Sequence, residues 1–472
     1  MSEETQLLLA SDDDQAMAAQ IIQQAERAYR YCRDSGGWVW AGPDRWEAFP
    51  GDPADAIVAQ VADKIPKGKK PAKETKPEDM NRDELDYMLH ARLANSRTAS
   101  GIAKKIRALA PSSAGAVALR DLDTDGAVMW AGGKPWNLPA SGRGLVVATG
   151  TDPVHLMSAR YAPAVGPTPL FDQLLEAAFP DKELRLWAEW ELCGACTASG
   201  GKALVHLIGP RDTAKTTVLR CFADVLGSYA VQIPRALLSG QQSHEGTVLQ
   251  LLGARLAWFD EKPRRGQVAQ EFLKDLTGGG SFRARPPHGR GAVEGRFTAT
   301  VVLASNDELP LTDSALLGRV RRVPMTGDPK ETRAARAAII GPDGNFTPAW
   351  RAEAPAVLAR MILWCAARMN GWEIEMPGGA AADLIVAAAE QDSTALFIAE
   401  TLDAGEVYTL TGEIHERYVR WCHEHSIPNP EIMHLVPFGK RLAAVFGEPK
   451  HTRRGNAVRC QVRQPGWPAR EG

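Results

Sequence analysis

The chain predicts an α/β fold, with a mainly helical region before it and a small helix-and-hairpin module after it. Three observations carry that expectation. The apolar, strand-like run Ala203-Leu204-Val205-His206-Leu207-Ile208 passes through Gly209-Pro210-Arg211-Asp212-Thr213-Ala214-Lys215-Thr216-Thr217 into the helix-like Val218-Leu219-Arg220-Cys221-Phe222. Two more apolar strands, 254–259 and 297–304, run into the polar tips Asp260-Glu261 and Ser305-Asn306-Asp307. Strand and helix patterns alternate across about 203–325, as a sheet with crossover helices requires.

The first of these features has a specific chemistry. An apolar strand, a glycine-started loop ending in Lys-Thr and a following helix together build a cradle for nucleotide phosphates. Backbone N–H groups and the helix N-terminus attract the anion, the lysine ammonium reaches the outer phosphates, and a threonine hydroxyl ligates Mg²⁺. Residues 209–217 are therefore candidate nucleotide-binding residues, with Lys215 on the phosphates and Thr216 on the metal. Two positions depart from the usual pattern. Ala214 stands where glycine precedes the lysine, and its methyl restricts the backbone. Asp212 brings a carboxylate, which weakens anion binding. The alternative is an ordinary strand-to-helix turn.

The strand tips add carboxylates and an amide where α/β sheets hold their ligands. Asp260 would bind Mg²⁺ through water, and Glu261 would orient or deprotonate the attacking water. Asn306 could polarise the same water. Such acidic pairs also begin solvated loops. Further on, Arg319, Arg321 and Arg322 fall within four residues. An arginine held against a γ-phosphate by a neighbouring subunit would stabilise transition-state charge, whereas a solvated basic strand is the plainer reading.

These residues, in this order, resemble superfamily-3 helicases, in particular the phage and plasmid primase-helicases related to poxvirus replicative proteins. Four blocks carry the resemblance: the phosphate loop, Trp258 to Glu261, the stretch Leu273-Lys274-Asp275-Leu276-Thr277-Gly278-Gly279-Gly280-Ser281-Phe282-Arg283-Ala284-Arg285, and Leu303 to Pro310. Gly280 stands where that family has Asp. Weaker likenesses at residues 35–47 and 143–155 are similar to the family's helical collar. The resemblance implies an α/β P-loop, AAA+-like motor domain, an N-terminal mainly helical collar domain, ATP and Mg²⁺ as cofactors, and hexameric rings moving on single-stranded or forked DNA with 3′-to-5′ polarity. It implies that Lys215 contacts the β- and γ-phosphates, Asn306 senses the γ-phosphate, Thr216 and Asp260 hold Mg²⁺ and Glu261 activates water. Arg319 is the implied finger, with Arg321 and Arg322 as substitutes. DNA contact falls to Arg283 and Arg285 on a strand and to His288 and Arg290 at a hairpin tip. A separate primase or polymerase is a further implied partner, because the tryptophan-rich opening begins within the first fifty residues and leaves no room for a fused polymerase-like domain.

Composition bounds the rest. A chain of 472 residues allows about two to four domains. Its hydrophobic content of 44% is ordinary, and no apolar run is long enough to span a bilayer. The acidic start, Ser2-Glu3-Glu4 to Asp12-Asp13-Asp14, is no signal peptide. The expected location is the cytoplasm of a bacterial host, with no membrane partner. Seven irregularly spaced cysteines read as free thiols. Cys193 and Cys196 read as buried helix thiols ahead of a metal or redox pair. A net charge of −2 argues against nucleic acid, but charge is local. Four arginines and His288 face one acid across 283–296, and seven Lys or Arg face Glu448 across 438–463.

Along the chain, 1–80 predicts a helix over 14–33, tryptophan strands, a helix near 53–64 and a solvated Lys- and Pro-rich linker over 64–78. Residues 81–200 form the collar-like domain, helical over 84–109 and rich in short strands over 110–162. Within it Asp121-Leu122-Asp123-Thr124-Asp125-Gly126 reads as a turn in preference to a calcium loop, since position twelve is Gly132. The motor spans 201–328, a helical connector 329–393, and a winged-helix-like domain 394–466. In that last domain helices at 412–426 and 437–446 precede two strands joined at Gly455-Asn456. Lys440, Arg441, Arg453 and Arg454 are its candidate DNA contacts. A small packing domain remains the alternative. The rival function is a weakly hydrolysing, nucleotide-dependent origin-binding or loader assembly, for which Ala214, Asp212 and Gly280 speak.

Overall fold

Helix α1 (Asp14–Ala25) is started by Asp13, whose carboxylate accepts the Gln15 N–H. It ends sooner than its apolar pattern predicts, because Tyr29–Cys32 is strand β1. That strand pairs antiparallel with β2 (Gly37–Ala41), which pairs with β3 (Trp46–Ala48). Tyr31 and Trp38 are register partners with rings edge to face at 5.3 Å, a cross-strand aromatic contact that helical continuation would forfeit. The structure, a computed structural model, describes residues 13–72, 75, 79–142, 144–151, 154–197, 203–238, 248–260, 269–285, 292–306, 309, 311, 313–375, 377, 393–424, 432–447, 449–452 and 454–462. These fall in two compact units, Met1–Asp307 with Arg319–Glu375, and Glu308–Gly318 with Met376–Gly472.

In the first unit three more helices follow, α2 (Ala54–Lys64), α3 (Arg82–Ala94) and α4 (Ser96–Leu109). A capping box of Asn81 and Glu84 opens α3, and Asn95 opens α4 by accepting from Arg97 and Thr98. Met17, Ile21, Ile57, Leu89, Ile102 and Ile106 share one buried core, so α1 to α4 pack together across residue 80. A short hairpin, β4 (Val128–Ala131) with β5 (Lys134–Asn137), comes next. Helices α5 (Pro169–Ala178) and α6 (Lys182–Cys193) then lead to the main sheet.

That sheet holds β6 (Leu204–Ile208), β7 (Ala230–Gln232), β8 (Leu256–Phe259), β11 (Thr300–Ser305) and β12 (Val320–Pro324), with α7 (Lys215–Leu226) after β6. Its order is β12-β6-β11-β8-β7, and every pairing is parallel. All residues of β6, β8 and β11 are buried, as a parallel sheet covered on both faces requires. Because β11 lies between β6 and β8, the loops leaving these three strands at their carboxyl ends are neighbours. Between β8 and β11 the chain makes α8 (Gln270–Gly278) and an antiparallel hairpin, β9 (Ser281–Ala284) with β10 (Val293–Arg296). After β12 come α9 (Pro329–Ile339) and the long α10 (Pro348–Met369). The buried Glu353 of α10 accepts the Leu170 and Phe171 N–H groups at the start of α5, and Arg360 makes a two-pronged pair with Glu189 of α6 at 2.6 and 2.7 Å.

The second unit contains α11 (Ser393–Thr401), β13 (Leu402–Leu410), α12 (Thr411–Glu424), α13 (Leu435–Phe446), β14 (Lys450–Thr452) and β15 (Gly455–Val462). Its sheet runs β13-β15-β14, antiparallel throughout, over a core of Phe397, Ile414, Tyr418, Phe438 and Val458. One expectation changes here and one strand is new. Gly455 and Asn456 lie inside β15, paired with Thr452 and His451, so the chain turns just before them. Strand β13 was not legible, because Asp403 and Gly405 depress strand propensity and the register shifts between Ala404 and Tyr408.

Candidate active site

The loop after β6 begins with a close approach. A side chain at Gly209 would put its Cβ 2.2 Å from the Met325 carbonyl oxygen, so only glycine fits beside the end of β12. Asp212 and Ala214 both take left-handed backbone conformations, at φ 64° and 67°. The methyl at 214 therefore does not divert the loop; it strains a conformation that glycine adopts freely. Thr213 Oγ1 donates to the Pro210 carbonyl at 2.9 Å, and α7 starts at Lys215 with its free N–H groups at the loop.

Lys215 Nζ donates to the carbonyls of Gly209 (2.6 Å) and Pro210 (2.5 Å). Burial holds its ammonium below the ordinary lysine range, while Asp212 and Asp260 oppose that shift. Thr216 Oγ1 donates to Asp260 Oδ1 at 2.6 Å, joining the loop of β6 to the tip of β8. A hydroxyl beside a carboxylate is a hard oxygen donor set of the kind Mg²⁺ takes, so these residues fit that ion. Asn306, at the tip of β11, lines the same cleft of about 340 Å³ as Lys215 and Thr216. Glu261 lies outside the described residues.

Motif reasoning missed the third wall of this cleft, which is α9. Thr332, Arg333 and Arg336 line it, together with Arg211 and Arg220. Thr332 Oγ1 donates to the Asp212 carbonyl, and Arg333 stands 3.5 Å from the Asp212 carboxylate. The charge that Asp212 adds to the loop thus faces a cation. Arg220 is held by the Gly344 carbonyl at 2.7 Å and lies over the Phe346 ring. No local pattern marks Arg333, because it is brought to the loop across more than a hundred residues of chain. Behind the cleft, His206 Nε2 and Ser305 Oγ are 2.7 Å apart between β6 and β11, and burial pushes the imidazole down to about 3, so it is neutral.

Arg319 is at the opposite, amino end of the strands, just before β12. Its carbonyl accepts the N–H of Leu204, the first residue of β6, and its guanidinium donates to the Lys274 carbonyl and Thr277 Oγ1 of α8. Arg321 and Arg322 are half-buried on β12. On the hairpin Arg283 and Arg285 are exposed, and Arg283 faces its register partner Glu294 at 3.8 Å. His288 and Arg290 lie outside the described residues. In the second unit Lys440 is exposed and Arg441 half-buried on α13, Arg454 is exposed 3.6 Å from Glu413, and Arg453 lies outside the described residues.

Elsewhere, Cys193 and Cys196 are buried, which pushes both thiols well up. Asp123 takes a left-handed turn at φ 55°, and its carboxylate accepts the Leu156 and Met157 N–H groups. Among the described residues no group of three His, Cys, Asp or Glu is placed to hold a metal, and no helix is long and apolar enough to cross a membrane.

Solved structures of the NrS-1 C-terminal region are similar to this chain. An A-form apo structure has 12% identity and a TM-score of 0.46, covering 92% of this chain and 87% of that one. An A-form apo structure of its residues 305–718 has 11% identity and a TM-score of 0.47, covering 94% and 99%. A further apo structure of the same residues has 10% identity and a TM-score of 0.47, covering 95% and 100%. No family model and no curated protein matches the chain.

Proposed function

We propose that this chain is an ATP-hydrolysing DNA helicase motor of the superfamily-3 type, working in the replication of a phage or mobile element. The observation that carries the reading is convergence: Thr216 bonds to Asp260, and Lys215 and Asn306 open onto the same cleft, although these residues come from three strands far apart in sequence. In this reading Lys215 leaves the loop carbonyls for the β- and γ-phosphates, Asn306 senses the γ-phosphate, and Glu261 takes the proton of the attacking water. Thr216 and Asp260 would hold Mg²⁺, which when bound neutralises phosphate charge.

The position of Arg319 supports a ring. It sits at the amino end of β6, about 16 Å of extended strand from its own phosphate loop. In this reading a guanidinium there, once freed, would reach a neighbour's triphosphate and not its own, in an assembly of several copies, a hexamer by family resemblance. The β9–β10 hairpin would carry Arg283 and Arg285, with His288 and Arg290, to the DNA strand. The second unit, with helices α12 and α13 before a basic hairpin, would act as a winged helix that grips duplex through Lys440, Arg441, Arg453 and Arg454.

Turnover of ATP with and without single-stranded DNA tests the proposal. Hydrolysis stimulated by the strand, and lowered at least about a hundredfold in Lys215→Ala and Glu261→Gln, is expected. Duplex binding that survives both substitutions, with no stimulated turnover in the unaltered chain, would favour the loader instead.

A further inference from the structure

We infer that Arg319 also has a post within its own chain: it is a positioning residue that fixes the base of the β9–β10 hairpin. Its backbone belongs to the sheet, through the bond from Leu204 at 2.9 Å. Its side chain belongs to α8. The guanidinium Nη1 donates to the Lys274 carbonyl at 2.8 Å and to Thr277 Oγ1 at 3.0 Å, and that buried hydroxyl itself donates to the Leu273 carbonyl at 2.6 Å. A cation thus stands at the carboxyl end of α8, where the helix dipole is negative.

The glycine triplet lies between this contact and the hairpin. A Cβ at Gly278 would stand 3.0 Å from the Arg319 Nη1, and one at Gly280 would stand 3.0 Å from the Asp275 carbonyl oxygen. Gly279 takes the left-handed turn at φ 68° that ends the helix. Ser281 then opens β9, and the returning chain is tied back by the Phe297 N–H to the Gly280 carbonyl at 3.0 Å. One residue, through its carbonyl on the amino end of β6 and its guanidinium on α8, therefore connects that strand to the foot of the hairpin.

The consequence for function rests on the motor reading. An arginine seated on Lys274 and Thr277 is not available to a neighbour's γ-phosphate. Its departure toward that phosphate frees the end of α8, so nucleotide occupancy next door loosens the hairpin that holds the strand.

Hydrogen exchange on the full chain without nucleotide tests the inference directly. Arg319→Ala is expected to speed exchange of the Gly279, Gly280 and Phe297 amides about tenfold while those of α2 keep their rates. Thr277→Val, nearly isosteric, removes one acceptor and should give a smaller rise at the same amides, and Arg319→Lys should restore part of the protection. Unchanged exchange at the triplet in both Arg319→Ala and Thr277→Val overturns the inference, as does a rise spread evenly over the chain. Anisotropy with a fluorescent single-stranded oligonucleotide reads the consequence, with several-fold weaker binding expected for Thr277→Val. An unaltered chain that binds no strand removes the motor reading, while the exchange rates still decide the role of Arg319.

Discussion

Position 214 holds a methyl group where the backbone turns left-handed. That conformation costs an alanine about 1 kcal/mol or more, and glycine nothing comparable. Asp212, two residues earlier, is also left-handed, but aspartate is among the few side chains that tolerate this region. Both departures are thus compatible with the loop geometry, at unequal cost. Ala214→Gly is expected to raise stability by about 0.5–1 kcal/mol after allowing for the greater freedom of glycine in the unfolded chain. Urea denaturation measures it, and a loss of stability would show that the methyl makes contacts worth more than the strain. At this scale Lys215, Thr216, Asp260 and Asn306 were legible, because short motifs and strand tips name them. Arg333 and Arg336 were not, since an arginine on an exposed helix face looks the same whether it meets water or a cleft.

Strands β6 and β11 meet through His206 and Ser305, directly behind the 209–217 loop and Asn306. The imidazole is held near 3 in the folded chain and near 6.5 when unfolded. Between those values the unfolded chain binds more protons, so the contribution is whole above about pH 6.5 and is lost as pH falls. Folding stability should decline by up to about 1.4 kcal/mol per pH unit from this group alone. His206→Gln, which does not titrate, should show a shallower decline between pH 6.5 and 4 in denaturant titrations; equal slopes would remove the assignment. Elements with strong periodicity, such as β6, α7 and α12, were readable in advance. The end of α1 was not, because Tyr31 prefers the facing Trp38 to another helical turn, and no local pattern reports a partner on the next strand.

Across the first unit, the buried Arg255 just before β8 donates to the carbonyls of Cys196, Asp125 and Val128 and lies over the Tyr229 ring at 4.6 Å. Asp123, pushed up to about 6 by burial, contributes opposite charge nearby. Two chain segments before the sheet, at 125–128 and at Cys196, are tied to it through one side chain. Arg255→Ala should lower stability by about 3–5 kcal/mol, the range for breaking a buried charged contact. A loss under about 1 kcal/mol in equilibrium unfolding would mean that water or a rearranged neighbour satisfies those carbonyls.

By itself the amino-acid order determined the α/β alternation, the strand–loop–helix over 204–226 and the polar tips of β8 and β11, because each depends on residues within one or two turns of chain. Only the tertiary structure decided that Thr216 meets Asp260, that α9 closes the cleft beside Asp212, and that Arg319 rests on the end of α8. Those are contacts between segments forty to more than a hundred residues apart. Sheet order and helix packing select them, and neither leaves a mark on the local sequence.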